Sequence, residues 1–105
     1  MLKEISDQEF VTLVEQGKGV ALVDFWAPWC GPCVMMGPVY AKLAQKYPQL
    51  NFYKVNTTEH MDKAGQYGVS GIPCIIVFQD GQEVERLVGF RAEGAFEAAI
   101  RKYAS

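Results

Sequence analysis

The stretch Val20-Ala-Leu-Val-Asp-Phe-Trp-Ala-Pro-Trp-Cys-Gly-Pro-Cys33 restricts the fold more than any other part of the chain. It begins as an apolar run interrupted by a single acid, Asp24, and a run of this kind reads as a buried strand. Trp26, Pro28 and Trp29 follow, and Gly31 and Pro32 separate Cys30 from Cys33. Proline suits the first turn of a helix, where its missing N–H has no partner to lose. The two cysteines therefore belong at a strand-to-helix junction, with Cys30 at the helix N-terminus.

The flanking sequence supplies elements that fit around this strand. Leu2 and Ile5 suggest a short first strand, and Ser6-Asp-Gln-Glu9 has the form of a capping box. Phe10, Leu13 and Val14 then fall at i, i+3 and i+4, an amphipathic helix that stops at Gly17 and Gly19. A second helix is expected from Cys30 to Tyr47, with Val39, Leu43 and Tyr47 inward, a kink at Pro38 and an end at Pro48. Phe52–Val55 is a third strand by its β-formers, and Glu59–Tyr67 a short helix stopped by Gly68. Cys74–Phe78 and Glu83–Val88 flank Asp80-Gly81, a two-residue hairpin signal, although Val84 and Leu87 do not alternate cleanly. Ala95, Phe96, Ala99, Ile100 and Tyr103 form a closing helical stripe with no clear N-cap. The order βαβαβα then ββα predicts an α/β fold: a mixed sheet with helices on both faces.

The 105 residues suit a single domain, residues 1–105. A net charge of −2 gives no basic surface for nucleic acid. No apolar run approaches the roughly 20 residues of a membrane helix. Met1-Leu-Lys-Glu4 does not open a signal peptide, and the chain reads as cytoplasmic. Three cysteines make no disulfide framework; in a reducing compartment a close pair is catalytic or metal-binding.

A thiolate is the nucleophile in disulfide exchange. At a helix N-terminus the Cys30 sulfur meets unpaired N–H donors and positive partial charge, which favour that form. Cys33, one turn on, can attack the resulting mixed disulfide intramolecularly. The competing use of the spacing is half a zinc site, for which only Cys74 and His60 remain as further ligands. Redox chemistry is favoured and no metal is expected. Asp24, an acid in an apolar strand, should have its pKa raised by burial and accept a proton near neutral pH. Trp26 reads as core beneath the cysteines and Trp29, in an exposed turn, as substrate-facing. Met35 and Met36 read as core or groove filler, and His60 as a solvated helix residue.

The segment Val23–Cys33 resembles the active-site segment of the thioredoxin family, and Lys54-Val-Asn56, Tyr67-Gly-Val-Ser-Gly-Ile-Pro73 and Val88-Gly89 match it in order and spacing. The resemblance spans essentially the whole chain. It implies a thioredoxin fold, a central mixed five-stranded sheet flanked by four helices. It further implies a redox-active Cys30–Cys33 disulfide with no bound cofactor, Asp24 as base for Cys33 through water, and Lys54 as its charge partner. Trp29, Gly31, Pro32, Ile72, Pro73 and Gly89 would form the substrate groove, with Phe90 as a wall and Ile72-Pro73 as a cis-proline turn. The implied partners are a reductase, most often an NADPH-dependent flavoprotein, and oxidised proteins; the implied state is a monomer.

Two positions depart from the family pattern. Val34 replaces a common lysine after the second cysteine, removing a cation that would favour the Cys30 thiolate. Cys74 follows Pro73, where threonine is usual. It reads as a small buried residue, as a regulatory thiol, or as the third ligand of a zinc or iron–sulfur site shared between subunits. Strand alternation decides whether its side chain reaches the cysteine pair. Two rival functions follow, a three-cysteine metal-binding variant and a non-enzymatic interaction module. Among redox roles, an oxidant or isomerase is the alternative to a reductant.

Overall fold

A computed structural model describes residues 2–105; Met1, where the segment read as lacking a signal peptide begins, lies outside them. Strand β1 (Leu2–Glu4) leads to helix α1 (Asp7–Phe10), then β2 (Val20–Trp26), α2 (Gly31–Lys46) and β3 (Asn51–Asn56). Helix α3 (Asp62–Gln66), the β4 (Cys74–Gln79) and β5 (Gln82–Val88) hairpin, and α4 (Glu93–Ile100) complete the order. The strands form one five-stranded sheet in the order β1-β3-β2-β4-β5. β1, β3 and β2 run parallel, while β4 is antiparallel to both β2 and β5. This is the mixed sheet and four-helix arrangement of the thioredoxin fold.

The capping box forms as written: Ser6 Oγ accepts from the Glu9 amide and Glu9 Oε1 from the Ser6 amide. After Phe10 the helix widens to π-helical geometry over Val11–Glu15, a change that the apolar spacing did not signal. Asp80 and Gly81 have φ of 52° and 85°, the positive pair that a two-residue primed turn requires. A Cβ at Gly81 would press into the Glu15 carbonyl, so glycine is needed there for close approach as well. The poor alternation of β5 has a cause. Val77 pairs with Glu85 and Phe78 with Glu83, leaving Val84 as a bulge residue without a partner.

Alternation along β2 separates two cores. Leu22 packs with Tyr40, Leu43 and Phe96 beneath α2 and α4. Val23 and Phe25 pack with Phe10, Val14 and Ala64 beneath α1 and α3. Asp24 shares the parity of Leu22, and its antiparallel partner Ile75 belongs to the same core. The acid is thereby directed toward the α2 side of the sheet.

Several details differ from expectation. The buried stripe of α2 is Cys33, Met36, Tyr40, Leu43 and Ala44, with Val39 and Tyr47 at its margins. Met36 is core, but Met35 is exposed, since it sits one residue off that stripe. Helix α3 begins at Asp62, where the Asp7 carboxylate accepts from the Asp62 and Lys63 amides. His60 therefore lies in the preceding loop. No side chain caps α4, whose N-cap is Ala92.

Candidate active site

β2 ends at Trp26, where the backbone turns through Pro28 and Trp29 into α2. Cys30 is the N-cap residue, in extended conformation (φ −93°, ψ 111°), and proline occupies the first turn. Cys30 and Cys33 are joined as a disulfide with Cα atoms 5.2 Å apart. The Cys33 amide donates to Cys30 Sγ at 3.3 Å, placing one of the helix's unpaired N–H groups on that sulfur. Unpaired N–H donors and positive partial charge at a helix N-terminus favour a thiolate over a thiol in general. Cys30 retains 7% exposure and Cys33 only 2%.

A second loop closes over the pair. The Ile72–Pro73 peptide is cis, and Cys30 Sγ lies 3.8 Å from the Ile72 carbonyl oxygen. Ile72 and Trp26, both half-buried, pack against Ala27, Cys30 and Cys33, so Trp26 is core only in part. Gly89, at φ 92°, donates its N–H to the Pro73 carbonyl at 2.8 Å and so joins the loop after β5 to the proline turn. Trp29 is 72% exposed, and Val34, Met35, Val88 and Phe90 also present apolar surface to solvent. Gly31 and Pro32 are exposed as well, whereas Pro73 is buried.

Asp24 is fully buried, and neither carboxylate oxygen has a hydrogen-bond partner among the described residues. Burial raises its pKa from an ordinary 3.8 to about 7; the Lys54 cation opposes the rise and Glu4 adds to it. Lys54 stands beside Asp24 in the register of β2 and β3. The expected pairing is one of register and through-space charge, not contact: the ammonium rests 4.3 Å from the centroid of the Trp26 ring.

Cys74 belongs elsewhere. It pairs with Phe25, on the opposite parity of the sheet from Asp24, and packs with Phe10, Val23 and Phe78. Its thiol is free and only 1% exposed, and burial pushes its pKa up. Alternation has turned it into the α1/α3 core. Both its burial and its raised pKa oppose a regulatory thiol, and its placement opposes a shared metal site with Cys30 and Cys33. Among the described residues no cluster of three or more His, Cys, Asp or Glu is arranged to hold a metal ion. A thiol titration of the oxidised protein should find no reactive thiol in the native state and one after denaturation. A thiol that reacts at once under native conditions would contradict this burial.

Two features went unrecognised in the sequence. The exposed Val88 adds to the apolar surface, which the β5 bulge would have revealed. Glu4 reaches the Trp26 indole, whose Nε1 donates to Glu4 Oε1 at 3.1 Å. The strand order β1-β3-β2 was the missing signal.

The thioredoxin family model matches residues 1–102. Thioredoxin of Bacillus subtilis (strain 168) is 42% identical over 99 residues, covering 93% of both chains. Thioredoxin 1 of Synechococcus elongatus is 46% identical over 86 residues, 81% of this chain and 80% of that one. The chloroplastic thioredoxin M2 of Arabidopsis thaliana is 38% identical over 103 residues, 97% of this chain and 55% of that protein. With a strand-to-helix Cys-Gly-Pro-Cys disulfide, a cis-proline turn beside it and relatives matched over nearly its full length, the chain belongs to the thioredoxin family of thiol–disulfide oxidoreductases.

Proposed function

We propose that residues 1–105 work as one thioredoxin domain that reduces disulfides in oxidised proteins, with Cys30 as nucleophile and Cys33 as resolving thiol. The unequal exposure of the two cysteines, 7% for Cys30 against 2% for Cys33, carries this reading. The Cys30 thiolate attacks one sulfur of the substrate disulfide, forming a mixed disulfide and expelling the other sulfur as a thiolate. Cys33 gives its proton to the Asp24 carboxylate and attacks Cys30 Sγ, expelling the second substrate thiolate. Two electrons pass to the substrate and the Cys30–Cys33 disulfide remains.

Asp24 suits the base role because its pKa of about 7 lets it take and release a proton near neutrality. Lys54 is its charge partner at one remove, lowering that pKa without neutralising the carboxylate by contact. Trp29, Gly31, Pro32, Ile72, Pro73 and Gly89 line the groove where an extended substrate segment lies across the disulfide. A thioredoxin reductase returns the electrons, no bound cofactor takes part, and the protein works as a cytoplasmic monomer. In the described residues no helix is long and apolar enough to cross a membrane.

The direction of transfer is tested by the reduction potential of the Cys30–Cys33 couple. Pro32 denies the thiolate a further N–H donor, which favours the reductant. The expected value is more negative than about −230 mV, measured against a glutathione or dithiothreitol buffer. A value between about −180 and −230 mV would instead identify an oxidant or isomerase.

A further inference from the structure

Three charged residues stand side by side across the parallel part of the sheet. Glu4 on β1 is in register with Lys54 on β3, and Lys54 with Asp24 on β2. Residues in register on parallel strands direct their side chains to one face, here in the sequence acid, base, acid from the sheet edge to its centre. Simple alternation of charge would place the lysine between the two carboxylates. It is found instead on the Trp26 ring, 4.3 Å from the centroid. The edge of the same indole donates to Glu4 Oε1 at 3.1 Å. A carboxylate on the N–H leaves the ring face richer in electrons and a better seat for a cation. The indole is held by Glu4 at its edge and occupied by Lys54 on its face, while Asp24 has no hydrogen-bond partner among the described residues.

We propose that Glu4 is a positioning residue for the base: by holding the Trp26 indole through its N–H, it seats the Lys54 ammonium on the ring and keeps that cation off the Asp24 carboxylate. A lysine free to close on Asp24 would neutralise the carboxylate in an ion pair and remove its appetite for a proton. Seated on the ring, the lysine tempers the charge without quenching it. Beyond the effect of burial, the charges around Asp24 act with the matching signs, Lys54 lowering and Glu4 raising its pKa. This role rests on the reading of Asp24 as the base, but the geometry from which it is drawn does not.

Other groups around Asp24 do not supply the effect. From α2 the Tyr40 phenol donates to the Tyr53 carbonyl, and burial pushes its pKa well above the ordinary value. Cys30 and Cys33 do not titrate while joined as a disulfide. From β4, Ile75 is apolar, and the neighbouring Cys74 faces the other core with a raised pKa.

The test follows the Asp24 carboxyl by residue-specific carbon NMR through a pH titration of the oxidised protein. Glu4→Leu removes both the charge and the indole acceptor. It should lower the Asp24 midpoint by roughly half a pH unit or more, the effect of one charge about two strand spacings away plus the released lysine. Glu4→Gln, which keeps an acceptor for the indole, should give a smaller shift of the same sign and guards against a folding defect in the first variant. In a Lys54→Met background no cation remains to be released, so the Glu4→Leu shift should shrink. An unchanged midpoint, or an equal shift in both backgrounds, would overturn the role assigned to Glu4. Single-turnover resolution of a mixed disulfide, followed over the same pH range, reads the base separately. If the midpoint moves as expected and the rate profile does not follow it, the positioning by Glu4 stands and the base assignment for Asp24 fails.

Discussion

Replacing Cys33 with serine should leave the protein covalently attached to its substrate. Attack by Cys30 on a substrate disulfide needs only its own sulfur and the N-terminal helix donors, all of which survive the substitution. The second step does not survive. In the native protein Cys33 lies one helical turn from Cys30, with Cα atoms 5.2 Å apart, and its attack is intramolecular. A free thiol in solution must replace that preorganised sulfur, and steady-state turnover should fall by at least ~10³-fold. Peptide mapping by mass spectrometry should locate the adduct at Cys30. The reciprocal Cys30→Ser variant should form no adduct, because the Cys33 sulfur is nearly inaccessible. An adduct through Cys33 in that variant would reverse the two roles.

Removing the buried acid should stabilise the fold at neutral pH and impair the reaction at the same time. Asp24 titrates at 3.8 when unfolded and at about 7 when folded, so ionisation is disfavoured in the native state. The stability it permits is fully present below the unfolded pKa and is lost as pH rises through the folded one. Above pH 7 the penalty reaches about 4 kcal/mol, since each unit of pKa is worth about 1.4 kcal/mol. Asp24→Asn keeps the shape without the charge, and Asp24→Ala gives up some packing. Both variants should exceed the native protein in denaturant titrations at pH 8, by roughly 2–4 kcal/mol for the best case, and approach it below pH 4. Resolution of the mixed disulfide at pH 7 should slow by about 10²-fold, the usual lower range for loss of a general base. A gain that is the same at pH 4 and pH 8 would show that the carboxyl's ionisation is not the source.

The elements that could be read without the structure are those written in neighbouring residues. The capping box at Ser6, the Asp80-Gly81 turn and the strand through Asp24 depend on contacts within a few positions, and all three form as expected. The short helix near residue 60 was misplaced because its first amides are held by Asp7, a residue more than fifty positions earlier. The β5 pattern failed to alternate because a bulge at Val84 consumes one residue of the register, and a bulge is specified by the partner strand as much as by its own. The π-helical stretch after Phe10 carried no sequence signal that distinguishes it from an ordinary helix.

The chemistry divides along the same line. A cysteine pair two residues apart beside a proline, at the end of an apolar strand, determines by local geometry alone that two sulfurs meet at a helix N-terminus. It also determines that Asp24 is buried, because an acid in the middle of such a strand has no route to water. Which face of the sheet each residue occupies relative to its neighbours was decided by tertiary structure. Register puts Lys54 beside Asp24 and Glu4 beside Lys54, and the Trp26 ring then draws the lysine away from the acid it was expected to pair with. Alternation turns Cys74, next in sequence to the proline that flanks the disulfide, into the opposite core. Spacing along the chain sets what neighbours within one turn of helix can do; pairing between strands sets which distant charges share a face, and that information exists only once the sheet is assembled.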